Sequence, residues 1–465
     1  MSTRIVCCEC IKKQEEIYRL RAEVKRLKAK LRIQERKITE GYFGSSTPSS
    51  KKPVKSNSGK NSANNNRGGA RVGHRGNGRS AMSAAEADRV EEVKLKCNCP
   101  KCDSSDLEQL DRRERTVIDY EINRVNIVYQ LERKRCKVCG SVFQAKAPGV
   151  LAKNLYSNNL LAHVATEHYV NGISLGHLQR QTGVNVGSLI KAMHQLSGIL
   201  KDIPDQLIAA YRQASVKHAD ETGWRNDGQN GYGWLFGTKD MAIFRFRQSR
   251  SGKVAQEVFG KQPLPGVLVV DRYNGYNKAP CSIQYCYAHL LRHVQDLEKE
   301  FPDNEEIKTF VQMAAPLLAE AMNLRSLPMS NHEFYRSATK TKEEIIKTMN
   351  SQANHFGIQK IQNIFRENSH RLYHWANKRD VPADNNFAER ELRPLVMARK
   401  VSFGSHSHAG AKTREILMTV LKTLKLRTKN DFREFFTHFL NQLADNPDID
   451  VYKCLFENNC SSTRK

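Results

Sequence analysis

Two stretches decide the fold: Ser215-Val-Lys-His-Ala-Asp-Glu-Thr-Gly-Trp224 and Gly266-Val-Leu-Val-Val-Asp-Arg-Tyr-Asn-Gly-Tyr276. Ser215 to Ala219 reads as a strand that runs into Asp220. Asp227-Gly-Gln-Asn-Gly231 is a turn, Tyr232 to Gly237 a second strand, and after Lys239-Asp240 a third strand covers Ala242 to Phe246. A helical stretch follows over Lys253 to Phe259. Past Pro263 and Pro265 the short apolar run Gly266 to Val270 has the character of a strand buried on both faces, and it ends at Asp271. Ile283 to Tyr287 is one more strand, feeding a helix that begins near Ala288.

Three meandering strands, a helix, a strand, a strand and a helix predict an α/β mixed sheet of the ribonuclease H type. In that layout Asp220 lies on the first strand and Asp271 at the end of the fourth, and these strands are neighbours. Two converging carboxylates suit Mg²⁺, a hard cation that prefers oxygen and keeps several waters. Two such ions about 4 Å apart can serve an in-line phosphoryl displacement. An aspartate after a strand can equally be a turn or cap residue. A third acid lies in Val381-Pro-Ala-Asp-Asn-Asn-Phe-Ala-Glu-Arg390, which reads as a loop entering a helix. Ala388, Leu392, Leu395 and Val396 define its packed face, with Glu389 and Arg393 together on an adjacent one. Asn386 as N-cap would put Glu389 at the third position of a capping box, so spacing leaves cap and ligand both open. Pro394 predicts a kink or a short first helix.

Outward from this segment the chain is strongly basic. Its 465 residues carry 75 Lys and Arg against 49 Asp and Glu, a formal charge of +26, which suits a polyanion such as nucleic acid. No apolar run reaches the roughly 20 residues of a membrane span, and the first residues lack the apolar region of a signal peptide, which argues against membrane and secreted classes. Residues 1–40 hold an apolar heptad, Ile17, Leu20, Val24, Leu27, Leu31 and Ile38 with Gln34 in the seam, read as a coiled coil for self-association or as a lone amphipathic helix. Residues 41–90 are rich in Ser, Asn, Gly, Lys and Arg and read as a linker without a core. The first 90 residues hold 21 basic and 8 acidic side chains. Arg75 and Arg79, among glycines in Gly73-His-Arg-Gly-Asn-Gly-Arg79, suit a phosphate backbone or a solvated tether.

The twelve cysteines cluster as metal ligands do rather than as a disulfide framework. Cys99-Pro-Lys-Cys102 and Cys136-Lys-Val-Cys139 can offer four thiolates to one structural Zn²⁺, with a strand-like alternation over 115–131 between them, giving a zinc-ribbon-like segment at 91–150. Cys97 can replace Cys99, and Cys7, Cys8 and Cys10 have no assignment. Residues 151–212 are helical. Gly183 between two short amphipathic helices fits a helix-turn-helix or an ordinary helical hairpin.

His218-Ala-Asp-Glu-Thr-Gly-Trp224, Val270-Asp-Arg-Tyr-Asn-Gly-Tyr276 and Asp384-Asn-Asn-Phe-Ala-Glu-Arg-Glu-Leu-Arg-Pro394 together resemble the insertion-sequence-66 family of DDE transposases. So do Arg399-Lys-Val-Ser-Phe-Gly404 with Ala409-Gly410, and Cys286-Tyr-Ala-His-Leu-Leu-Arg292. With the heptad start, the Gly-His-Arg-Gly element and the cysteine pairs in the same order, the resemblance covers nearly the whole chain. It departs at Arg272, where glycine is commoner, and in the asparagine-rich linker. The resemblance implies a catalytic triad of Asp220, Asp271 and Glu389 holding two Mg²⁺ (or Mn²⁺) ions, in a DDE domain over 213–425 with a helical insertion at about 300–378, followed by a helical tail at 426–465. It implies cleavage at insertion-sequence ends and 3′-hydroxyl strand transfer, with transposon-end and target DNA as partners, a homo-oligomer, a dimer by expectation, and accessory proteins of the same element. The expected location is the bacterial cytoplasm, at the nucleoid. Arg390, Arg393, Arg399 and Lys400 are the candidates for gripping DNA, and His289 and Arg292 are further candidates to reach the site. A DNA-binding protein without catalysis and a nuclease without strand transfer are the competing functions.

Overall fold

The computed structural model describes residues 125–457 apart from 136, 138, 140, 141, 153, 429 and 430, with residue 85 and scattered positions between 16 and 31. The chain separates into two units, Val54–Ile127 and the remainder, and the elements below belong to the remainder. A short hairpin, β1 (Arg133–Arg135) and β2 (Val142–Gln144), comes first. Four helices follow: α1 (Asn158–Tyr169), α2 (Leu175–Thr182), α3 (Val186–Ile199) and α4 (Ile203–Gln213).

The central sheet is mixed. β3 (Val216–Gly223) pairs antiparallel with β5 (Tyr232–Thr238), which pairs antiparallel with β6 (Met241–Arg247). On its other side β3 runs parallel to β7 (Val267–Val270), and β7 parallel to β8 (Ser282–Tyr285). The order β6-β5-β3-β7-β8 is compatible with a ribonuclease H-like domain. Turn chemistry explains the first half: Thr238 Oγ1 donates to Asp240 Oδ1 at 2.6 Å in the tight turn joining β5 to β6. The parallel half needs a crossover, supplied by α5 (Gly252–Phe259). All four residues of β7 are buried, as its unbroken apolar run predicts.

β8 leads into α6 (Tyr287–Glu300), and residues 305–377 then add only helices and short 3-10 turns: α7 (Glu305–Asn323), α8 (Asn331–Asn350), α9 (Phe356–Glu367) and α10 (His374–Asn377). The chain returns to the sheet as α11 (Asn386–Ser402), followed by α12 (His408–Thr428), α13 (Phe432–Asp445) and α14 (Val451–Phe456). Between α11 and α12, β9 (Gly404–Ser405) pairs in parallel with β4 (Arg225–Asn226).

Strand β6 is one edge of the sheet, and α12 covers it. The amides of Ala242, Phe244 and Phe246 donate to Thr423 Oγ1, Thr419 Oγ1 and Glu415 Oε2 at 3.1, 2.9 and 3.0 Å. The match is geometric: four helical residues rise about 6 Å, close to the ~6.6 Å between alternate strand residues. Glu415, almost fully buried, also accepts from Arg245 Nη1 at 2.7 Å and Lys412 Nζ at 2.9 Å. Burial raises the Glu415 carboxyl, but Arg245, Lys412 and Arg247 outweigh it and hold it below its ordinary value.

Two sequence expectations need correction here. The strand-like alternation over 115–131 does not continue as strand where it is described: residues 125–132 are irregular and Val125 and Val128 are exposed, so β1 begins only at Arg133. Pro394 does not interrupt its helix. α11 runs through it to Ser402, held by buried Leu392, Leu395 and Ala398 on either side of the proline.

Candidate active site

Asp220 and Asp271 are brought level by strand register. β3 and β7 pair as Val216↔Val267, Lys217↔Leu268 and His218↔Val269, and the same offset carries Asp220 to Asp271. The paired residues end at His218 and Val269, so the two aspartates lie two residues further along neighbouring strands, whose backbones run about 4.8 Å apart where they pair. Both are buried, at 2% and 5% exposure. Each is fixed by a nearby amide: Asp220 Oδ1 accepts from Glu221 N at 2.8 Å, and Asp271 Oδ1 from Tyr273 N at 2.9 Å. The Tyr276 hydroxyl, which donates to Glu221 Oε2, is pushed well up by burial and then by the charges of Glu221, Asp220 and Asp271.

α11 lies across the face of β3 that carries Asp220. At its start Asn385 Nδ2 donates to Ala219 O at 2.9 Å, its Oδ1 meets His218 Nδ1 at 2.8 Å, and its amide donates to Cys286 Sγ at 3.1 Å. Near its end Arg399 Nη1 donates to Thr222 Oγ1 at 2.9 Å and Gly223 O at 2.6 Å. Asp220 therefore sits between the two anchors. The approach is close because β5 puts glycines under the helix. Gly233 and Gly237 pair with Thr222 and His218, and a Cβ on them would stand 2.5 Å from Leu395 Cδ2 and 2.7 Å from Phe387 Cε1.

Glu389 occupies the first turns of α11, its amide donating to Asn385 O at 3.3 Å. The capping-box expectation is corrected. Asp384 Oδ1 accepts from Asn386 N at 2.9 Å and draws Asn386 into the helix, so Asn385 is the N-cap and Glu389 falls one position too late to close the box. The Glu389 carboxylate instead stands 3.7 Å from His289 Nε2 on α6. Burial, and then the Glu389 charge, push the Cys286 thiol to about 12. His289 is thus beside the acid, and Arg292 follows one turn later on α6.

Among the described residues no three His, Cys, Asp or Glu side chains are gathered tightly enough, as they stand, to hold a metal ion. The donor chemistry nonetheless fits Mg²⁺. Buried carboxylates are unfavourable without compensating positive charge, and these offer only hard oxygen ligands.

Of the cation candidates, Arg390, Arg393 and Lys400 are exposed along α11, whereas Arg399 is turned inward onto β3. Arg75, Arg79, Cys99, Cys102 and Cys136 lie outside the described residues. Cys139 is exposed in the connection between β1 and β2. α2 and α3 are joined by three residues, with Gly183 left-handed at φ 67°. Asn385, His218, Gly233 and Gly237 were not singled out by sequence reasoning. Asn385 and His218 were within reach of it, each standing inside one of the family-like motifs.

Residues 153–413, more than half of the chain, match the family model described as transposase IS66 family. The chain belongs to the IS66 transposase family. A curated relative in Sinorhizobium fredii (strain NBRC 101917 / NGR234), described as uncharacterized protein y4jD, is 22% identical over 341 residues, 63% of this chain. The match spans 64% of that relative's length. Among the described residues no helix is long and apolar enough to cross a membrane.

Proposed function

We propose that this IS66-family chain is a ribonuclease H-like DDE transposase that cuts DNA at the ends of its insertion sequence and joins the freed 3′-hydroxyl to target DNA. The observation that supports it best is the shared register of Asp220 and Asp271 beside the helix that carries Glu389. In this reading the three carboxylates would hold two Mg²⁺ or Mn²⁺ ions. When bound, such ions supply activation of the attacking oxygen and stabilisation of the leaving one. Asn385 and Arg399 pin the helix that carries Glu389 against β3, which would set the depth at which its carboxylate approaches the aspartates, and His289 would orient that carboxylate. Positioning of this kind is most of what a protein contributes to phosphoryl transfer.

The other parts have supporting roles. The cysteines Cys99, Cys102, Cys136 and Cys139 would hold one structural Zn²⁺. The described heptad positions Ile17, Leu20, Val24, Leu27 and Leu31 are helical and exposed, an apolar stripe that a second copy would cover in a dimer. End DNA, target DNA and accessory proteins of the element are the proposed partners.

The test incubates the protein with labelled DNA from the borders of its element, Mg²⁺ and a plasmid target. Joined product is expected from the natural chain. Asp271→Asn should bind the same DNA and neither cut nor join. A variant that cuts at the natural rate refutes the triad, and cutting without joining reduces the function to a nuclease.

A further inference from the structure

α11 turns Ala388, Leu392, Leu395 and Ala398 to the core, and the side it shows to solvent has a composition of its own. Arg390, Arg393, Met397, Lys400 and Val401 recur there at three- and four-residue steps, all exposed, and Phe403 ends the row. Met397, Val401 and Phe403 are 55%, 53% and 73% exposed. Three cations and three large apolar side chains thus share one strip. A wholly apolar protein surface would bury the apolar groups and strand the cations. Nucleic acid satisfies both, with phosphates for the cations and flat base faces for the apolar groups.

Phe403 is the singular member. Its backbone is left-handed, φ 60° and ψ −7°, a region that side chains with a Cβ avoid. The only other non-glycine residue with positive φ among the described residues is Asp227, in a turn. The chain is pinned on both sides of the ring. Phe403 N donates to Arg399 O at 2.8 Å. Gly404, at φ 143°, has no room for a Cβ, which would stand 2.2 Å from Arg225 O. Asp227 N donates to Ser405 O at 2.9 Å and Trp224 Nε1 to Ser405 Oγ at 3.1 Å. An exposed aromatic ring is therefore held on a rigid mount, tied through Arg399 to the end of the strand that carries Asp220.

We propose that Phe403 is a DNA-stacking residue: its ring lies against an unstacked base of DNA that Arg390, Arg393 and Lys400 hold by its phosphates along α11. This rests on the reading of the neighbouring site as one that acts on DNA. Fourteen helical residues from Glu389 to Phe403 span about 21 Å. At 3.4 Å per nucleotide the stacked base lies roughly six nucleotides from the reacting phosphate.

The experiment uses the full chain in Mg²⁺-free buffer, so that cleavage does not enter. Trp224, Trp234 and Trp375 are all at most 2% exposed, so the indole introduced by Phe403→Trp is the solvent-exposed reporter of this face. The probe is a duplex of about 30 base pairs with a short single-stranded tail, bases that can stack without prior unpairing. Quenching of the exposed indole on adding the tailed duplex is expected. Phe403→Ala should weaken binding of that duplex by about tenfold, within the usual range for one base–aromatic stack, while Phe403→Trp keeps it. Unchanged affinity of Phe403→Ala together with an unquenched indole overturns the proposal. So does sedimentation showing that Phe403→Ala splits an oligomer while DNA affinity stays the same, which assigns the face to a second copy. Loss of stacking in a protein that binds DNA but never cuts it upholds Phe403 and removes only the catalytic reading. A chain that binds no DNA removes both.

Discussion

Gly233→Ala tests whether the spacing between β5 and α11 governs the site. The new Cβ would stand 2.5 Å from Leu395 Cδ2 and 3.0 Å from Phe246 Cε1. Carbon atoms settle at about 3.5–4.0 Å, so strand and helix must part by roughly 1 Å or Leu395 must leave its rotamer. Overpacking of this kind costs about 1–3 kcal/mol. The catalytic effect should be larger than the effect on stability. Asp220 stays with β3 while Glu389 moves with α11, and a displacement near 1 Å can cost about 10²-fold in rate. Urea melts would measure the first effect, and Mg²⁺-dependent cleavage of labelled end DNA the second, with DNA binding as a control for global damage. Leu395→Ala removes the colliding methyl, so the double variant should recover part of the lost rate, a coupling visible in a double-mutant cycle. Natural rate and stability in Gly233→Ala, or additive effects in the double variant, would refute the reasoning.

Phe403→Asn should raise stability by about 1 kcal/mol, because asparagine tolerates the left-handed backbone better; a lowered melting temperature would contradict the strain. Glu415→Gln should cost about 1–3 kcal/mol in denaturant melts, since Arg245 Nη1 then faces a neutral group while Nη2 keeps Asp205 at 2.6 Å. The depressed Glu415 carboxyl contributes stability above its ordinary pKa, and that contribution is lost as pH falls below it, so the variant's acid unfolding should be less steep. His168 is held neutral, at about 3, by burial first and then by the Arg414 charge, accepting from Arg414 Nη2 at 2.8 Å. Its contribution is complete above about pH 6.5 and falls by about 1.4 kcal/mol per unit as the pH drops toward 3, so melting temperatures of His168→Gln should depend less on pH across that window.

The sheet was legible because its signals are local. Asp227-Gly228 and Lys239-Asp240 mark turns whatever surrounds them, and the run Val267–Val270 admits little but a buried strand. The two aspartates follow from that order. What was not legible depends on contacts between distant segments. Nothing near Asn386 tells that Asp384 will claim its amide and shift the helix start by one residue. The glycines of β5 have no visible purpose until α11 is laid over them. Pro394 reads as a breaker because propensity ignores the packing that carries the helix through it. The alternation before Arg133 has the period of a strand, yet its described part has no strand partner among the described residues. Arg399 reads like its basic neighbours, and only the fold turns it inward.

The cover over β6 bears on how the protein can be cut and handled. The family match ends at residue 413, two residues before Glu415 and ahead of Thr419 and Thr423. A fragment trimmed to the matched region would keep the acids yet bare three strand amides, an adhesive border along which copies could zip together into insoluble ribbons. With the helix in place that border is sealed.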